Sequence, residues 1–173
     1  MIFVIIWTLI IGVQKQIMAA ASKKQTQWLK ECFSAWKQTD VAYSRLAHSR
    51  NLSLNMVWTF ECLSEHPEGV EPAVLADEAN LLRQTMTVVL NDLEEQRLVI
   101  REFHPTDRRK KMIKLTDKGQ QVCREILDTI AQCELEALSE LSEEDQRMLF
   151  QLTSRFWNGL VSKLLASANG SDK

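Results

Sequence analysis

The sequence predicts a mainly α-helical fold of the α+β class with one small β-hairpin. Apolar residues recur every three or four positions over most of the 173 residues, which is the period of amphipathic helices. Two runs of β-forming residues, at 99–103 and 112–115, flank a polar loop that contains Pro105, as in a hairpin. Two helices joined by a tight turn precede this hairpin, so we predict a winged helix-turn-helix whose wing is the hairpin.

The order of the helices follows from capping and breaking residues. An apolar stripe predicts a long first helix from residue 22 onward, and Ser53 can cap a second helix that ends by Pro67. Pro72 suits the first turn of a short third helix. A fourth helix is predicted over about 82–96. Its expected core face consists of Met86, Val89, Leu90 and Leu93.

The carboxyl-terminal third predicts two further long helices. Thr116 can cap the first of them, and Ser142, followed by Asp145, can cap the second. Their apolar stripes continue over many turns, as does the stripe of the first helix. The three long helices therefore need a partner surface beyond the compact middle of the chain.

Composition limits the classes of function. Hydrophobic residues make up 45% of the chain and charged residues 25%, which is enough to bury one good core. The net charge is −2, yet the stretch 97–118 holds eight basic residues against three acidic ones. A local basic patch on an acidic chain favours a polyanion bound at one face only.

The sequence predicts no metal, no cofactor and no enzyme activity. The cysteines show no two-residue spacing, which indicates small buried hydrophobes in a reducing cytoplasm. We find no nucleophile with a nearby base, and no phosphate-binding loop among the five glycines. The cysteines are Cys32, Cys62, Cys123 and Cys133.

The first 13 residues are uncharged and almost entirely apolar. This run is shorter than the roughly 20 residues that span a bilayer. A secretory signal has basic residues before its apolar run, and no basic residue precedes this one. Three interpretations stay open: a start codon placed too early with Met18 as the true beginning, an ordered extension of a dimer arm, or membrane contact. We favour the first, and expect no membrane partner.

The predicted helix pair and hairpin suit binding to double-stranded DNA. In this arrangement the second helix of the pair enters a major groove, and the hairpin tip reaches the neighbouring minor groove. The alternative is that the polar residues of this second helix form an ordinary solvent-exposed face that binds nothing. The candidate DNA-binding side chains near its amino end, which are of types that bond base edges or phosphates, are Arg83, Gln84, Thr85 and Thr87.

The predicted wing carries four adjacent basic residues at its tip. The positive charges of such a run repel one another unless a polyanion compensates them, which favours a polyanion-binding site. The alternative is a solvent-exposed charged surface without a ligand. Asp107 is placed to brace an arginine of the loop, and a braced arginine can enter a narrow A·T-rich minor groove. The candidate DNA-binding residues of the tip are Arg108, Arg109, Lys110 and Lys111.

The run from Leu93 to Gly119 resembles the multiple-antibiotic-resistance regulator (MarR) family of winged helix-turn-helix repressors. The match lies in Asp107 with the two arginines after it, and in the leucine-threonine-x-lysine-glycine motif at 115–119. The resemblance extends over roughly 28–165. It implies an obligate homodimer, with interlocked terminal helices and one winged domain per subunit, that represses transcription from a pseudo-palindromic operator.

Three positions depart from the family pattern. Arg97 stands where the family usually has glycine, so the turn after the recognition helix is expected to be strained or differently shaped. Leu82 replaces the usual capping serine, and Val88 occupies a place often held by arginine. We therefore expect affinity to depend on the wing more than is usual.

The resemblance also implies a small aromatic or phenolic effector, bound between the dimer arm and the DNA-binding domain. Ordinary core packing is the alternative role for such aromatic residues. A redox-sensing branch of the family has a reactive cysteine in its first helix, and Cys32 loosely matches it. The effector-pocket candidates are Trp28, Phe33, Trp36, Tyr43 and Trp58.

These expectations divide the chain into an apolar segment, dimerisation helices and a DNA-binding domain. Two alternative functions stay open: a thiol-based redox regulator that uses Cys32, and a winged-helix interaction protein without DNA binding. The predicted ranges are 1–21 for the apolar segment, 22–52 for the N-terminal dimerisation helix, 53–115 for the DNA-binding domain, 116–167 for the C-terminal dimerisation helices, and 168–173 for a tail.

Overall fold

The computed structural model describes residues 23–104, 106–107 and 109–169. Within them the chain forms six helices and one antiparallel hairpin, which confirms the predicted fold class. The elements are α1 (Lys23–His48), α2 (Leu54–Ser64), α3 (Pro72–Glu78), α4 (Arg83–Glu95), β1 (Val99–Phe103), β2 (Lys111–Leu115), α5 (Asp117–Ser139) and α6 (Glu143–Asn169).

Some predictions fall on residues that the structure does not describe. The apolar segment 1–21, the tip residue Arg108 and the tail from residue 170 lie outside the described residues. Helix α6 continues to Asn169, two residues into the predicted tail. Among the described helices, none has the length and apolar character needed to cross a membrane.

The helices begin where local capping chemistry places them. The Ser53 side chain accepts a hydrogen bond from the backbone N–H of Met56 at 3.3 Å, and Thr116 Oγ1 accepts one from Gly119 N–H at 2.9 Å. Ser142 Oγ accepts from the Asp145 N–H at 3.2 Å. Each of these bonds satisfies one of the amide groups that the first turn of a helix leaves unpaired.

The core lies between α2, α4, the base of the hairpin and the first half of α5. The predicted core face of α4 is buried as expected, because its four apolar residues point at α2 and α3. The largest side chains with less than 2% exposure include Phe60, Leu63, Leu75, Leu93, Ile113 and Ile126.

The hairpin is held at its base by a third segment. Strands β1 and β2 pair from Val99 opposite Leu115 to Phe103 opposite Lys111, so β2 begins one residue earlier than predicted. On the other side of β2, Ile113 N–H donates to the Val70 carbonyl at 2.8 Å and Val70 N–H donates back at 3.1 Å. The chain that leads into α3 is therefore joined to the wing.

The terminal helices keep their apolar faces outside this core. No described side chain of α6 is buried, and the amino-terminal half of α1 is largely exposed. An exposed apolar surface of this kind indicates an interaction site. Its large members include Trp28, Leu29, Trp36, Leu149, Leu152, Phe156 and Leu164.

Candidate nucleic-acid interface

Helix α4 presents a polar face to solvent at its amino end. Arg83, Gln84 and Thr87 are exposed there, whereas Thr85 is half-buried. The Thr87 hydroxyl donates to the Arg83 carbonyl at 2.9 Å, so it is partly engaged within the helix. The structure thus places the four predicted side chains at one end of the helix, and their contact with DNA stays a prediction.

The start of α4 lacks a side-chain cap. Leu82 occupies the capping position, and its side chain accepts no hydrogen bond and is 61% exposed. Val88, which stands on the same helix, is 58% exposed. Both observations agree with the departures seen in the sequence: two positions that could carry polar contacts carry apolar side chains.

At the wing tip, Asp107 holds Arg109 through three hydrogen bonds. The Arg109 backbone N–H and side-chain Nε donate to Asp107 Oδ1 at 3.1 and 3.2 Å, and Nη2 donates to Oδ2 at 3.4 Å. The Arg109 side chain is nevertheless 92% exposed. The guanidinium is thus fixed in direction yet open to solvent, which is the arrangement that lets an arginine enter a groove at low entropic cost.

The same contact keeps Asp107 ionised. Hydrogen bonds from the Arg109 side chain, and then from its backbone, hold the pKa of the Asp107 carboxyl below its usual value. Because the pKa is lowered, the contact contributes fully at any pH above about 4, the ordinary pKa of an aspartate. It is lost only as the pH falls through the lowered value. The brace is therefore intact at neutral pH.

The two lysines of the tip have partners within the chain. Lys110 Nζ lies 2.7 Å from Glu71 Oε1, and Lys111 Nζ lies 3.3 Å from the centroid of the Phe103 ring. Glu71 therefore compensates the charge of Lys110 within the chain, and the contact of both lysines with DNA stays a prediction. Among the tip residues that the structure describes, Arg109 is the cation most open to a ligand.

Two polar links that sequence reasoning missed join the wing to the helices. Arg101 on β1 contacts Glu94 at 3.4 Å and donates to Asn91 Oδ1 at 2.5 Å, both on α4. The Glu71 contact with Lys110 is the second link, and it joins α3 to the tip. Strand alternation could have placed Arg101 on the face of Val99, but nothing local in the sequence points to Glu71.

Comparison with known proteins finds a family model that matches the middle of the chain. The model, described as "MarR family", matches residues 54–110, which include α2, the helix pair, β1 and the wing tip but end before β2. The transcriptional regulator HosA of Escherichia coli O111:H- is 29% identical over 90 residues, 52% of this chain and 67% of HosA. This part of the chain is therefore similar to MarR-family regulators.

Solved structures share the fold of this chain. The Staphylococcus aureus MepR–DNA complex superposes with a TM-score of 0.63 at 18% identity, covering 73% of this chain and 96% of MepR. Streptomyces coelicolor PcaV, in complex with its natural ligand, gives 0.58 at 22% identity, covering 72% and 89%. The chain spans between 54% and 67% of the first curated relatives it matches.

Arg97 adopts the left-handed backbone conformation that favours glycine. Its φ is 59°, and the turn is closed by bonds from Arg97 N–H to the Glu94 carbonyl and from Leu98 N–H to the Leu93 carbonyl, each 2.9 Å. Its own carbonyl accepts from Thr116 Oγ1 at 2.8 Å. The turn therefore keeps the geometry of a glycine-ended helix while a side chain bears the strain.

We expect Arg97→Gly to stabilise the protein by about 0.5–1 kcal/mol, because glycine adopts a positive φ without steric cost. The measurement is the urea midpoint. Asn80, which ends α3 with a φ of 50°, supplies the control, since asparagine tolerates this conformation and Asn80→Gly should change the midpoint less. An equal gain in both variants would contradict the assignment of strain to Arg97.

The five aromatic candidates for an effector pocket are spread along α1 and onto α2. Trp28 and Tyr43 stand on the same helix 15 residues apart, which is about 22 Å along its axis. Trp28 is 56% and Trp36 39% exposed. Tyr43 and Trp58 are in contact, with ring centroids 5.7 Å apart in an edge-to-face arrangement. An effector pocket that uses these residues stays a prediction.

Tyr43 instead links α1 to α5. Its hydroxyl donates a hydrogen bond to Glu134, while Arg50 donates to Thr129 Oγ1 at 3.1 Å. Burial, followed by the hydrogen bond with Glu134 and its negative charge, raises the pKa of Tyr43 to about 12. Because the raised pKa favours the neutral phenol, this contribution to stability is present below pH 10 and is lost as the pH rises towards 12.

We expect Tyr43→Phe to lower the free energy of unfolding by about 1 kcal/mol, through loss of the hydrogen bond with the ring contact to Trp58 retained. The difference between wild type and variant should shrink between pH 10 and pH 12, where the wild-type phenol ionises. Urea midpoints of both proteins over this range test the link. A difference independent of pH would show that Tyr43 acts only through packing.

Two of the cavities in the described part of the chain bear on the effector-pocket prediction. A cavity of about 420 Å³ includes His48, Asp92 and Glu95, and one of about 360 Å³ includes Leu115, Cys123 and Leu127. None of the five aromatic candidates lines either cavity.

Cys32 is exposed on α1, as its redox role would require, and that role stays a prediction. The described residues contain no group of three or more His, Cys, Asp or Glu side chains able to hold a metal ion.

Proposed function

We propose that this chain is a DNA-binding transcriptional regulator of the MarR family that acts as a homodimer on a pseudo-palindromic operator. The observation that carries the proposal is the wing tip, where Asp107 fixes an Arg109 side chain that stays 92% exposed. An arginine fixed in this way is suited to the narrow minor groove of A·T-rich DNA, where the negative potential is concentrated. MepR, which shares the fold, forms a complex with DNA, and this supports the same partner for the chain.

The amino end of α4 is the proposed contact with bases. Arg83 and Gln84 are of the types that bond guanine and adenine edges in the major groove. A helix in the major groove and a hairpin at the adjacent minor groove give each subunit two separate points of contact. Since α4 lacks a side-chain cap and exposes Val88, the wing is expected to supply a large share of the affinity.

The exposed terminal helices support a homodimer. Helix α6 has 27 residues and buries none of its described side chains, so in a monomer its apolar face would stay in water. Interlocking these helices with those of a second copy would place two α4 helices about one turn of DNA apart. Light scattering during gel filtration tests this, with twice the chain mass of 19.9 kDa expected.

A gel shift with the protein's own upstream region tests the proposed function. A shifted band that competitor DNA of unrelated sequence fails to remove supports the regulator. Absence of binding at low salt would favour a winged-helix interaction protein instead. The same assay, with the promoter fused to a reporter gene, decides between repression, which we propose, and activation.

We further propose that a small aromatic effector weakens DNA binding. PcaV, which shares the fold, is described in complex with its natural ligand. An effector that prefers a dimer with differently spaced winged domains would lower affinity by shifting the population away from the binding-competent geometry. Hydroxybenzoates titrated into the gel shift test this, and peroxide with the Cys32→Ser variant tests the redox alternative.

A further inference from the structure

The contact between Glu71 and Lys110 joins the helix-turn-helix to the wing tip across 39 positions of sequence. Lys110 Nζ donates to Glu71 Oε1 at 2.7 Å, and the side chains of Lys110 and Glu71 are 51% and 30% exposed. Glu71 occupies the capping position of α3, but its side chain makes no capping hydrogen bond there. Its carboxylate is therefore committed to the wing and not to its own helix.

The backbone explains why Glu71 reaches the tip. Val70, the residue before it, exchanges two hydrogen bonds with Ile113 in an antiparallel bridge. In antiparallel pairing the next residue of one strand lies beside the preceding residue of the other, so the chain from Val70 to Glu71 runs towards the start of β2. Lys110 stands immediately before that start.

The backbone of Lys110 also closes the tip. Its N–H donates to the Asp107 carbonyl at 3.0 Å, and its carbonyl accepts from His104 N–H at 3.1 Å. A tether on the Lys110 side chain therefore restrains the short turn that carries Asp107 and Arg109. The pKa of Lys110 is raised, chiefly by its hydrogen bond with Glu71, which agrees with a lasting ion pair.

We propose that Glu71 is a positioning residue for DNA binding, and that Lys110 braces the wing tip against α3 instead of contacting a phosphate. This inference rests on the proposed function. It assigns different tasks to neighbouring residues: Arg109 is directed outward, whereas Lys110 holds the tip that presents it.

The direction in which Glu71→Gln changes the DNA affinity distinguishes this brace from a purely electrostatic effect. Glu71→Gln removes a negative charge beside the DNA-binding face, which by charge alone should tighten binding. If the ion pair holds the tip in its binding position, the same change must weaken binding. The wing of the variant is then less ordered without DNA, and the entropy lost when DNA binding orders it reduces the binding free energy.

We expect Glu71→Gln to weaken binding to the upstream duplex about two- to fivefold, with an unchanged salt dependence. The charge-swapped double variant Glu71→Lys with Lys110→Glu should return to within about twofold of wild type. The matched control is Glu102→Gln, because Glu102 pairs with Lys114 within the hairpin at 3.1 Å. That variant should bind as wild type or slightly tighter.

Two binding results would each overturn the proposal. One is equal or tighter binding by Glu71→Gln. The other is a fall of about one in the salt slope per wing for Lys110→Met, which is the behaviour of a lysine that contacts a phosphate. Fluorescence anisotropy with a labelled duplex at several salt concentrations measures both quantities.

Amide hydrogen exchange without DNA keeps the brace separate from the proposed function. The N–H groups of His104 and Lys110 should exchange faster in Glu71→Gln than in Glu102→Gln, because only the first change releases the tip from α3. Equal exchange in both variants overturns the brace. If wild-type protein fails to bind its upstream duplex, the proposed function fails while the exchange result still decides whether Glu71 holds the wing.

Discussion

Replacing Gly119 with alanine is expected to destabilise the protein by about 3 kcal/mol or more. A Cβ at this position would lie 1.8 Å from the carbonyl oxygen of Leu98 and 2.8 Å from its carbonyl carbon. Both are backbone atoms, so no side-chain rotation can relieve the clash. The helix α5 would have to move away from the turn that follows α4.

The turn cannot move freely, because it is fixed from both sides. The Leu98 carbonyl accepts a hydrogen bond from Thr116 N–H at 3.1 Å, and Leu98 itself is 2% exposed. The start of α5, the end of α4 and the base of the wing therefore meet at one point. Loss of this junction would separate the DNA-binding elements from the helix that leads to the proposed dimer arm.

Urea denaturation followed by circular dichroism measures the effect. Gly159→Ala is the matched control, since a Cβ on Gly159 meets no atom of the chain within 4 Å. In the middle of α6 that alanine should leave stability unchanged or raise it by up to about 1 kcal/mol. Midpoints for Gly119→Ala equal to wild type would contradict the close packing of α5 on the turn.

Arg109→Ala is expected to cost about 1–3 kcal/mol of DNA-binding free energy per wing and to flatten the salt dependence. The free energy of unfolding should not change, because the side chain is 92% exposed. Asp107 would remain in place but would have no guanidinium to direct. The loss should therefore appear in binding alone.

Anisotropy titrations at several salt concentrations measure this loss. Arg147→Ala is the control, because Arg147 is an exposed arginine on α6 with one weak contact of 3.9 Å to Glu144. It removes the same charge at a site outside the wing, so affinity should change little. Full affinity of Arg109→Ala at physiological salt would contradict the wing assignment and would turn attention to Arg83 on α4.

Features that depend on neighbours in the sequence were predictable. The bonds at Ser53 and Thr116 each span three residues, and the bracing of Arg109 by Asp107 spans two. The left-handed turn at Arg97 was also indicated by comparison with the family pattern. In all these cases the chain geometry brings the partners together whatever the rest of the fold does.

Features that depend on distant partners were not predictable. Tyr43 was predicted to line an effector pocket, and nothing in the sequence indicated its hydrogen bond with Glu134, which lies 91 positions away. Lys110 was predicted to contact DNA, and nothing in the sequence indicated its ion pair with Glu71. A lysine in a basic run and a tyrosine on an apolar stripe each have several equally reasonable partners, and only the folded chain selects one.

The sequence by itself indicated the resemblance to the MarR family, the order of helices and hairpin, and a braced arginine at the wing tip. These depend on hydrophobic periodicity and on contacts of a few residues, which the local chain imposes. Only the tertiary structure decided that Lys110 pairs with Glu71 whereas the Arg109 side chain stays exposed. The reason is that the bridge between Val70 and Ile113 sets the distance from α3 to the tip, and this pairing forms only when the core has brought the two segments together.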